Sequence, residues 1–427
     1  MNRWTSISGS LILGIVLIWG FVLLQKNQTA SPHHDQPLVF YCAAGIQVPV
    51  DQIVKEYENE YGVSIQVNYG GSGTLLSNLR VTQTGDLFLA ADDSYIQQAR
   101  ELDLLEESIP LATLIPVIAI AKGNPKKIHG IQDLMRDDVR LALANPDAAA
   151  VGRITRDLLQ KEGIWDALNQ HVTVSKPTVN EIANDLKIGA VDAGIVWDAF
   201  AASYPELEII HSPLLDLGQQ TISVGIVKKT LHPTDALRFA RYLSARDKGL
   251  PVFEKFGFHP VQGDVWAETP HVVFYSGGVN RLAIEDTLKR FQEREGVQID
   301  TVYNGCGILV GQMKLGERPD AYFACDVSFI QQVGDLFYDP LNVSETDMVI
   351  VTAKGNPKGI RSLQDLSQGG LRLGVANAEQ SALGALTKRL FDQLGIYDRI
   401  KGNIQSQTPT ADLLVNQLRT GSLDAVI

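Results

Sequence analysis

The sequence predicts an α/β protein of two tandem bilobal domains, the second incomplete, behind an N-terminal apolar helix. Three observations predict it. Long stretches of the first half return in the second, each half alternates short apolar runs with amphipathic ones, and the chain opens on an almost wholly apolar segment. Tyr69-Gly70-Gly71-Ser72-Gly73-Thr74-Leu75 returns 234 positions on as Tyr303-Asn304-Gly305-Cys306-Gly307-Ile308-Leu309, and Asp92 to Gln98 returns at the same offset as Asp326 to Gln332. Ala121 to Lys126 and Leu186 to Ala193 return at an offset of 232, as Ala353 to Lys358 and Leu418 to Ala425. Solenoid repeats run at roughly 20–50 residues, so a period this long is a duplicated domain.

The apolar opening is Ile7 to Leu24, with Arg3 before it and Lys26 after it. Eighteen helical residues reach roughly 27 Å, close to a bilayer core. An uncleaved anchor and a cleaved signal peptide both fit. The anchor is preferred, because Gln28-Thr29-Ala30 is a poor small-x-small cleavage site and no cysteine follows to accept lipid. Residues 1–36 are thus read as anchor or signal plus linker, with His33-His34 in a solvated stretch rather than on a metal. Residues 37–265 form the first domain and 270–427 the second, and all of this lies on the exported side.

Within the first domain, Leu38–Tyr41 reads as a strand and Val50–Tyr61 as a helix. Val63–Val67 is the next strand and Thr74–Val81 the next helix, followed by strand Asp86–Leu89 and a helix near Tyr95–Glu101. Leu114–Ala121 is a long apolar strand ending in the turn Lys122-Gly123-Asn124-Pro125. Leu141–Ala144 and Ala193–Trp197 are buried strands separated by two helices. Ile222–Val227 is a late strand, followed by a helix over Pro233–Leu243. The alternation implies mainly parallel sheets, and the late return implies two lobes with the chain crossing twice between them. Copy one runs on to about Gln262, whereas copy two reaches only Ile427, the partner of Ile195. The natural gene is therefore expected to continue, with an aromatic two residues on, as Trp197 follows Ile195.

Composition narrows the partners. A hydrophobic content of 45% is that of a globular protein, and a formal charge of −12 argues against nucleic acid or anionic lipid. The three cysteines are Cys42, matched by Ser276 in the other copy, Cys306, matched by Ser72, and Cys325, matched by Ala91. A Cys306–Cys325 bridge is one reading. The preferred one is unpaired small residues in tight turns.

Four segments hand a strand over to a helix: Cys42-Ala43-Ala44-Gly45, Gly70-Gly71-Ser72-Gly73, Ala148 to Gly152, and Pro177-Thr178-Val179-Asn180. First-turn N–H groups lack internal partners and carry the positive end of the helix dipole, so such starts receive anions. Small residues let a ligand reach the backbone. Thr178, three before Glu181, fits a capping box. In copy two the segments return as Ser276-Gly277-Gly278, Asn304-Gly305-Cys306-Gly307, Ser381-Ala382-Leu383-Gly384 and Pro409-Thr410-Ala411.

With the strand–Ala-Ala-Gly-Ile opening, Tyr-Gly-Gly-Ser-Gly-Thr-Leu, Gly85-Asp86-Leu87-Phe88, Lys122-Gly123-Asn124-Pro125 and Gly194-Ile195-Val196-Trp197, copy one resembles the molybdate-type periplasmic substrate-binding proteins of ABC importers, of type II fold, over nearly its whole length. The resemblance implies two α/β lobes closing on a tetrahedral oxyanion held by two serine hydroxyls, backbone N–H groups and an aromatic hydroxyl. It places Ser72 at the second serine, Val151 and Val179 at the backbone donors, Trp197 at the aromatic, and Ala44-Gly45 at the first turn. Gly45 departs from the first serine, and Trp197 from the tyrosine. Copy two carries Gly278 and Cys306 at the serine positions and Leu383 and Ala411 at the donors.

The leading expectation is therefore an exported, membrane-tethered receptor. It captures a small oxyanion such as molybdate or tungstate for ABC-type import, with the permease as partner, the N-terminal helix in the membrane and no nucleic acid. A fully ionised anion suits the matched positions, none of which is a carboxylate able to accept a proton. No cofactor or metal is expected. A tethered sensor or scaffold, binding another solute or a protein, is the alternative. An enzyme is not expected, since neither Cys42 nor Cys306 has a histidine near it in sequence and the copies do not preserve them. Replacing Lys122 or Arg153 should weaken binding less than tenfold. Ser72→Ala should weaken it ten- to hundredfold with the melting temperature nearly unchanged.

Overall fold

The computed structural model describes residues 36–427. The apolar opening lies outside them. Among the described residues no helix is long and apolar enough to cross a membrane. The chain divides into two compact units after Trp266.

The first unit begins with β1 (Leu38–Ala43), a short turn over Ala44–Ile46, α1 (Gln47–Tyr61) and β2 (Ile65–Gly70). Next come α2 (Ser72–Thr82), β3 (Leu87–Leu89), α3 (Asp93–Glu101) and β4 (Leu105–Leu114). The chain then enters a second lobe, with β5 (Pro116–Ala121), β6 (Leu141–Ala144), α4 (Ala150–Lys161), α5 (Trp165–Gln170) and β7 (Val172–Lys176). That lobe continues through α6 (Val179–Lys187), β8 (Ala193–Trp197), α7 (Asp198–Ala202) and β9 (Leu207–Ile210). After α8 (Pro213–Asp216) the chain returns to the first lobe through β10 (Gln220–Val227), α9 (Pro233–Leu243), α10 (Gly249–Lys255) and β11 (His259–Pro260).

The first lobe's sheet has the order β11-β4-β10-β3-β1-β2 and the second lobe's β7-β6-β8-β5-β9. The expected two lobes and two crossings are both found. The mainly parallel sheets are not, because β10 and β5 each run against both of their neighbours. Parallel pairing is confined to β1 with β2 and β3, and to β6 with β7 and β8. The expected strand Leu114–Ala121 is two strands in different sheets. It breaks at Ile115, whose N–H donates to Asp198 Oδ1 at 3.0 Å. The interval between β6 and β8 holds three helices and β7, which sequence reading did not separate. The second strand runs to Gly70 rather than Val67, since pairing with β1 continues to Ala43 opposite Gly70. In the core Tyr57 and Phe40 each meet Phe239 edge-on, at ring distances of 4.9 and 5.8 Å, a preferred aromatic geometry.

The second unit repeats the plan. It starts with β12 (His271–Gly277), α11 (Arg281–Glu295), β13 (Gln298–Asn304), α12 (Cys306–Lys314), β14 (Ala321–Phe323) and α13 (Val327–Gln331). Then follow β15 (Val351–Thr352), β16 (Leu373–Ala376), α14 (Ala382–Gln393), α15 (Tyr397–Ile400), β17 (Ile404–Thr408), α16 (Ala411–Arg419) and β18 (Ala425–Val426). Its sheets have the orders β13-β12-β14 and β15-β18-β16-β17. Residues 338–350, which correspond to β4 and the start of β5, carry no strand and leave Tyr338, Leu341 and Val343 exposed.

Candidate functional site

The four strand-to-helix segments of the first unit converge. Ala43 to Gly45, Gly70 to Ser72, Ala149 to Val151, Thr178, Val179, Ala91 and Trp197 line one pocket of about 250 Å³, its open mouth included. All six candidates of the first copy, Ala44, Gly45, Ser72, Val151, Val179 and Trp197, are on this wall. No charged side chain is.

Each segment starts its helix as the sequence indicates. The N–H groups of Ser72, Val151 and Val179 lie in first turns and make no hydrogen bond to protein among the described residues. Three helix N-termini therefore offer free donors and positive dipole ends to one small volume. Ser72 is buried, and its Oγ accepts from Ala91 N–H at 3.1 Å. That bond uses an oxygen lone pair and leaves the hydroxyl proton for a ligand. Thr178 caps α6, accepting from Glu181 N–H at 3.4 Å, while its hydroxyl lies 3.3 Å from the Glu181 carboxylate.

Gly45 is the family departure with a visible consequence. A Cβ there would stand 3.1 Å from Val179 Cγ2 and 3.4 Å from Trp197 Cδ1. The volume a serine would use is taken by a valine methyl and the buried indole.

Closure is built into the glycines. A Cβ on Gly71 would lie 2.3 Å from the Ala148 carbonyl oxygen and 2.7 Å from that of Pro177, both in the opposite lobe. Gly73 N–H donates to Ala148 O across the cleft at 3.0 Å. Arg153, on α4, adds an ion pair to the buried Asp92, a hydrogen bond to Ser94 and a cation–π contact with Tyr95 at 4.9 Å. It latches the lobes and does not line the pocket. Asp86 and Asp92 are structural: Asp86 accepts from Val39 N–H at 2.7 Å, and Asp92 caps α3.

Sequence reading missed Ala91, whose N–H orients Ser72, and Asn145, whose carbonyl accepts from the N–H groups of Ala148 and Ala149 ahead of α4. The repeat offset of 232 carries Asn145 onto Asn377. Asn377 Oδ1 accepts from Glu379 and Gln380 N–H at 2.9 and 3.1 Å. The repeat itself was thus the signal that would have found it.

The second copy keeps the closure and changes the wall. Gly305 faces the carbonyls of Gln380 and Pro409, and Gly307 N–H donates to Gln380 O at 3.0 Å. Cys306 opens α12, and Ala411 opens α16. Leu383, at the first turn of α14, packs on core residues. Gly278 is not at the first serine position. Strand pairing sets Gly277 opposite Asn304 as it sets Ala43 opposite Gly70. Gly278 therefore matches Ala44, and Val279 matches Gly45.

The profile of the bacterial extracellular solute-binding proteins matches residues 38–259 and again 272–427. The chain belongs to that family, carrying its domain twice. It is 26% identical over 264 residues to the molybdate-binding protein of Mycobacterium tuberculosis, covering 60% of this chain and 98% of that one. To the molybdate-binding protein of Escherichia coli it is 20% identical over 229 residues, 52% of this chain and 88% of that. A sulfate-binding protein of Synechococcus elongatus is 24% identical over 216 residues, 46% and 60% of the two chains. Among solved structures, the periplasmic molybdate-binding protein of Azotobacter vinelandii aligns with a TM-score of 0.45 at 17% identity, covering 53% of this chain and all of that one.

Proposed function

We propose that the protein is an ABC-type receptor whose first copy captures a small, fully ionised tetrahedral oxyanion, of molybdate or tungstate type, between its lobes. The observation that carries this reading is the pocket wall. It is uncharged, yet free N–H groups from three helix starts and the Ser72 hydroxyl meet there. Such preorganised dipoles hold an anion without a counter-ion. With no carboxylate on the wall, a protonated anion would leave its proton unpaired, which disfavours hydrogen phosphate. The names of the mycobacterial and enterobacterial relatives support the same ligand class. The apolar opening segment is proposed to hold the receptor at the outer face of the membrane, beside an importer permease.

Titration calorimetry of the full chain with molybdate, tungstate, sulfate and phosphate tests the reading. Binding of the first two, weakened ten- to hundredfold by Ser72→Ala, is expected. If the parent binds none of the four, the oxyanion reading fails. The alternative, a tethered sensor that feeds no importer, draws its support from the diverged second cleft, where Val279 and Cys306 replace Gly45 and Ser72.

A further inference from the structure

Ser72 and Ala91 of the first copy are replaced in the second by Cys306 and Cys325, and the fold brings the two sulfurs together. Cys325 N–H donates to Cys306 Sγ at 3.3 Å, as Ala91 N–H donates to Ser72 Oγ. A Cβ built on Gly277 would lie 2.0 Å from Cys325 Sγ and 3.0 Å from Cys306 Sγ. Both sulfurs therefore crowd one bare Cα and can be no further apart than those two distances end to end. Both thiols are free. Cys306 is buried at the first turn of the nine-residue α12, while Cys325 is half-buried. The third cysteine, Cys42, is fully buried in β1, where burial and then Asp51 push its thiol well up.

We propose that Cys306 and Cys325 are a reversible dithiol–disulfide pair in the cleft of the second copy. The hydrogen bond from Cys325 outweighs burial and lowers the Cys306 thiol to about 7, while the Cys325 thiol is raised by that same bond. Near neutral pH the pair thus supplies one thiolate, the species that exchanges. A small disulfide RSSR meets the more exposed Cys325 first. As Cys325 Sγ attacks one sulfur, its proton passes along the hydrogen bond to the Cys306 thiolate. A mixed disulfide forms with release of RS⁻, which takes that proton from Cys306 and leaves as RSH. The Cys306 thiolate then attacks Cys325 Sγ, forming the Cys306–Cys325 bond and releasing the second RS⁻. The pair's one proton thus leaves as RSH, the second group leaves as RS⁻, and the pair's two electrons reduce the RSSR bond. Reduced, the cleft carries negative charge where the first copy has the Ser72 hydroxyl. Oxidised, it is neutral there. The bearing of that charge on ligands rests on the oxyanion reading, whereas the disulfide does not.

The test uses the full-length folded chain, incubated with oxidised glutathione, alkylated with iodoacetamide and mapped by mass spectrometry. A peptide linking Cys306 to Cys325 should form, with Cys42 left as a free thiol, and dithiothreitol should restore all three thiols. Cys306→Ser and Cys325→Ala install the residues of the first copy, which the fold already accommodates, and each should abolish the linked peptide. Three alkylated thiols in the oxidised wild type would overturn the proposal. So would linked peptides that include Cys42 in comparable yield, because they would report scrambling in unfolded chains. No ligand enters the measurement, so its outcome is independent of the oxyanion reading.

Discussion

Ser72 shows what a residue in a repeat reveals and what it hides. Its place among three glycines marks it as a candidate ligand group, and the structure puts it on the pocket wall. Its second bond, from Ala91 N–H, comes from nineteen residues away and could not be read locally. That bond corrects the expectation of an unchanged melting temperature. Ser72→Ala leaves a buried N–H unpaired, which costs about 1–3 kcal/mol, so thermal denaturation of the ligand-free chain should show a clear fall as well as the affinity loss. Ser72→Cys separates the effects. Cys306 receives the equivalent bond from Cys325 in the second copy, so the stability should largely survive. The weak S–H donor should still reduce oxyanion affinity at least tenfold. Equal affinities for Ser72→Cys and the parent in calorimetry would remove the hydroxyl from the site. A second residue-level pair titrates. Arg372 grips Asp424 through two bonds of 2.7 and 3.2 Å, as Arg140 grips Asp192 in the first copy. Its guanidinium holds the Asp424 carboxyl down, at about 2. Because the folded value is depressed, the contribution to stability is complete above the unfolded value of about 3.9 and disappears as pH falls through the folded one. Asp424→Asn should therefore be less stable than the parent in urea at pH 7 and indistinguishable from it near pH 2.

At the scale of elements, the strand-to-helix turns were legible because glycine and small residues punctuate both copies at matched positions. The break at Ile115 was not. Apolar content runs through Leu114 to Ala121 without pause, and the break depends on Asp198, eighty-three residues on. Strand direction was equally hidden, since hydrophobic runs say nothing about which neighbour a strand will oppose. The glycine loops also carried a second meaning. They were read as access for a ligand, yet Gly71 and Gly73 chiefly let the lobes meet backbone to backbone. Gly71 has φ of −68°, which any residue adopts, so Gly71→Ala should fold normally and act only by pushing Ala148 and Pro177 away. Small-angle scattering of the ligand-free variant should show a larger radius of gyration than the parent, with oxyanion affinity down at least tenfold. An unchanged radius together with unchanged affinity would mean that this contact does not govern closure. Lys122 opens a turn away from the pocket, and its replacement should cost less than tenfold in the same titration.

For the whole molecule, duplication made the architecture readable, and the copies diverge at the positions proposed to bind ligand. The repeated Lys-Gly-Asn-Pro is a device of the fold rather than of the site. Asn124 and Asn356 each receive the N–H of, and donate to the carbonyl of, the residue four ahead. The pocket-lining positions differ instead, with Ser72 against Cys306 and Gly45 against Val279. On the two proposals above, a reduced Cys306, partly thiolate near neutral pH, should oppose an anion in the second cleft. The two units should therefore respond unequally to ligand. Proteins of several domains need not melt in one step, and differential scanning calorimetry of the reduced chain should resolve two transitions. Molybdate at a hundred times its dissociation constant stabilises the unit that binds it by about 2.7 kcal/mol. For a unit of this size that raises one transition by roughly 5–10 °C while leaving the other in place. Ser72→Ala should abolish most of that shift without moving the second transition. If both transitions rise together in the reduced parent, the second cleft binds the anion despite its cysteines, and charge at Cys306 is not what distinguishes the copies.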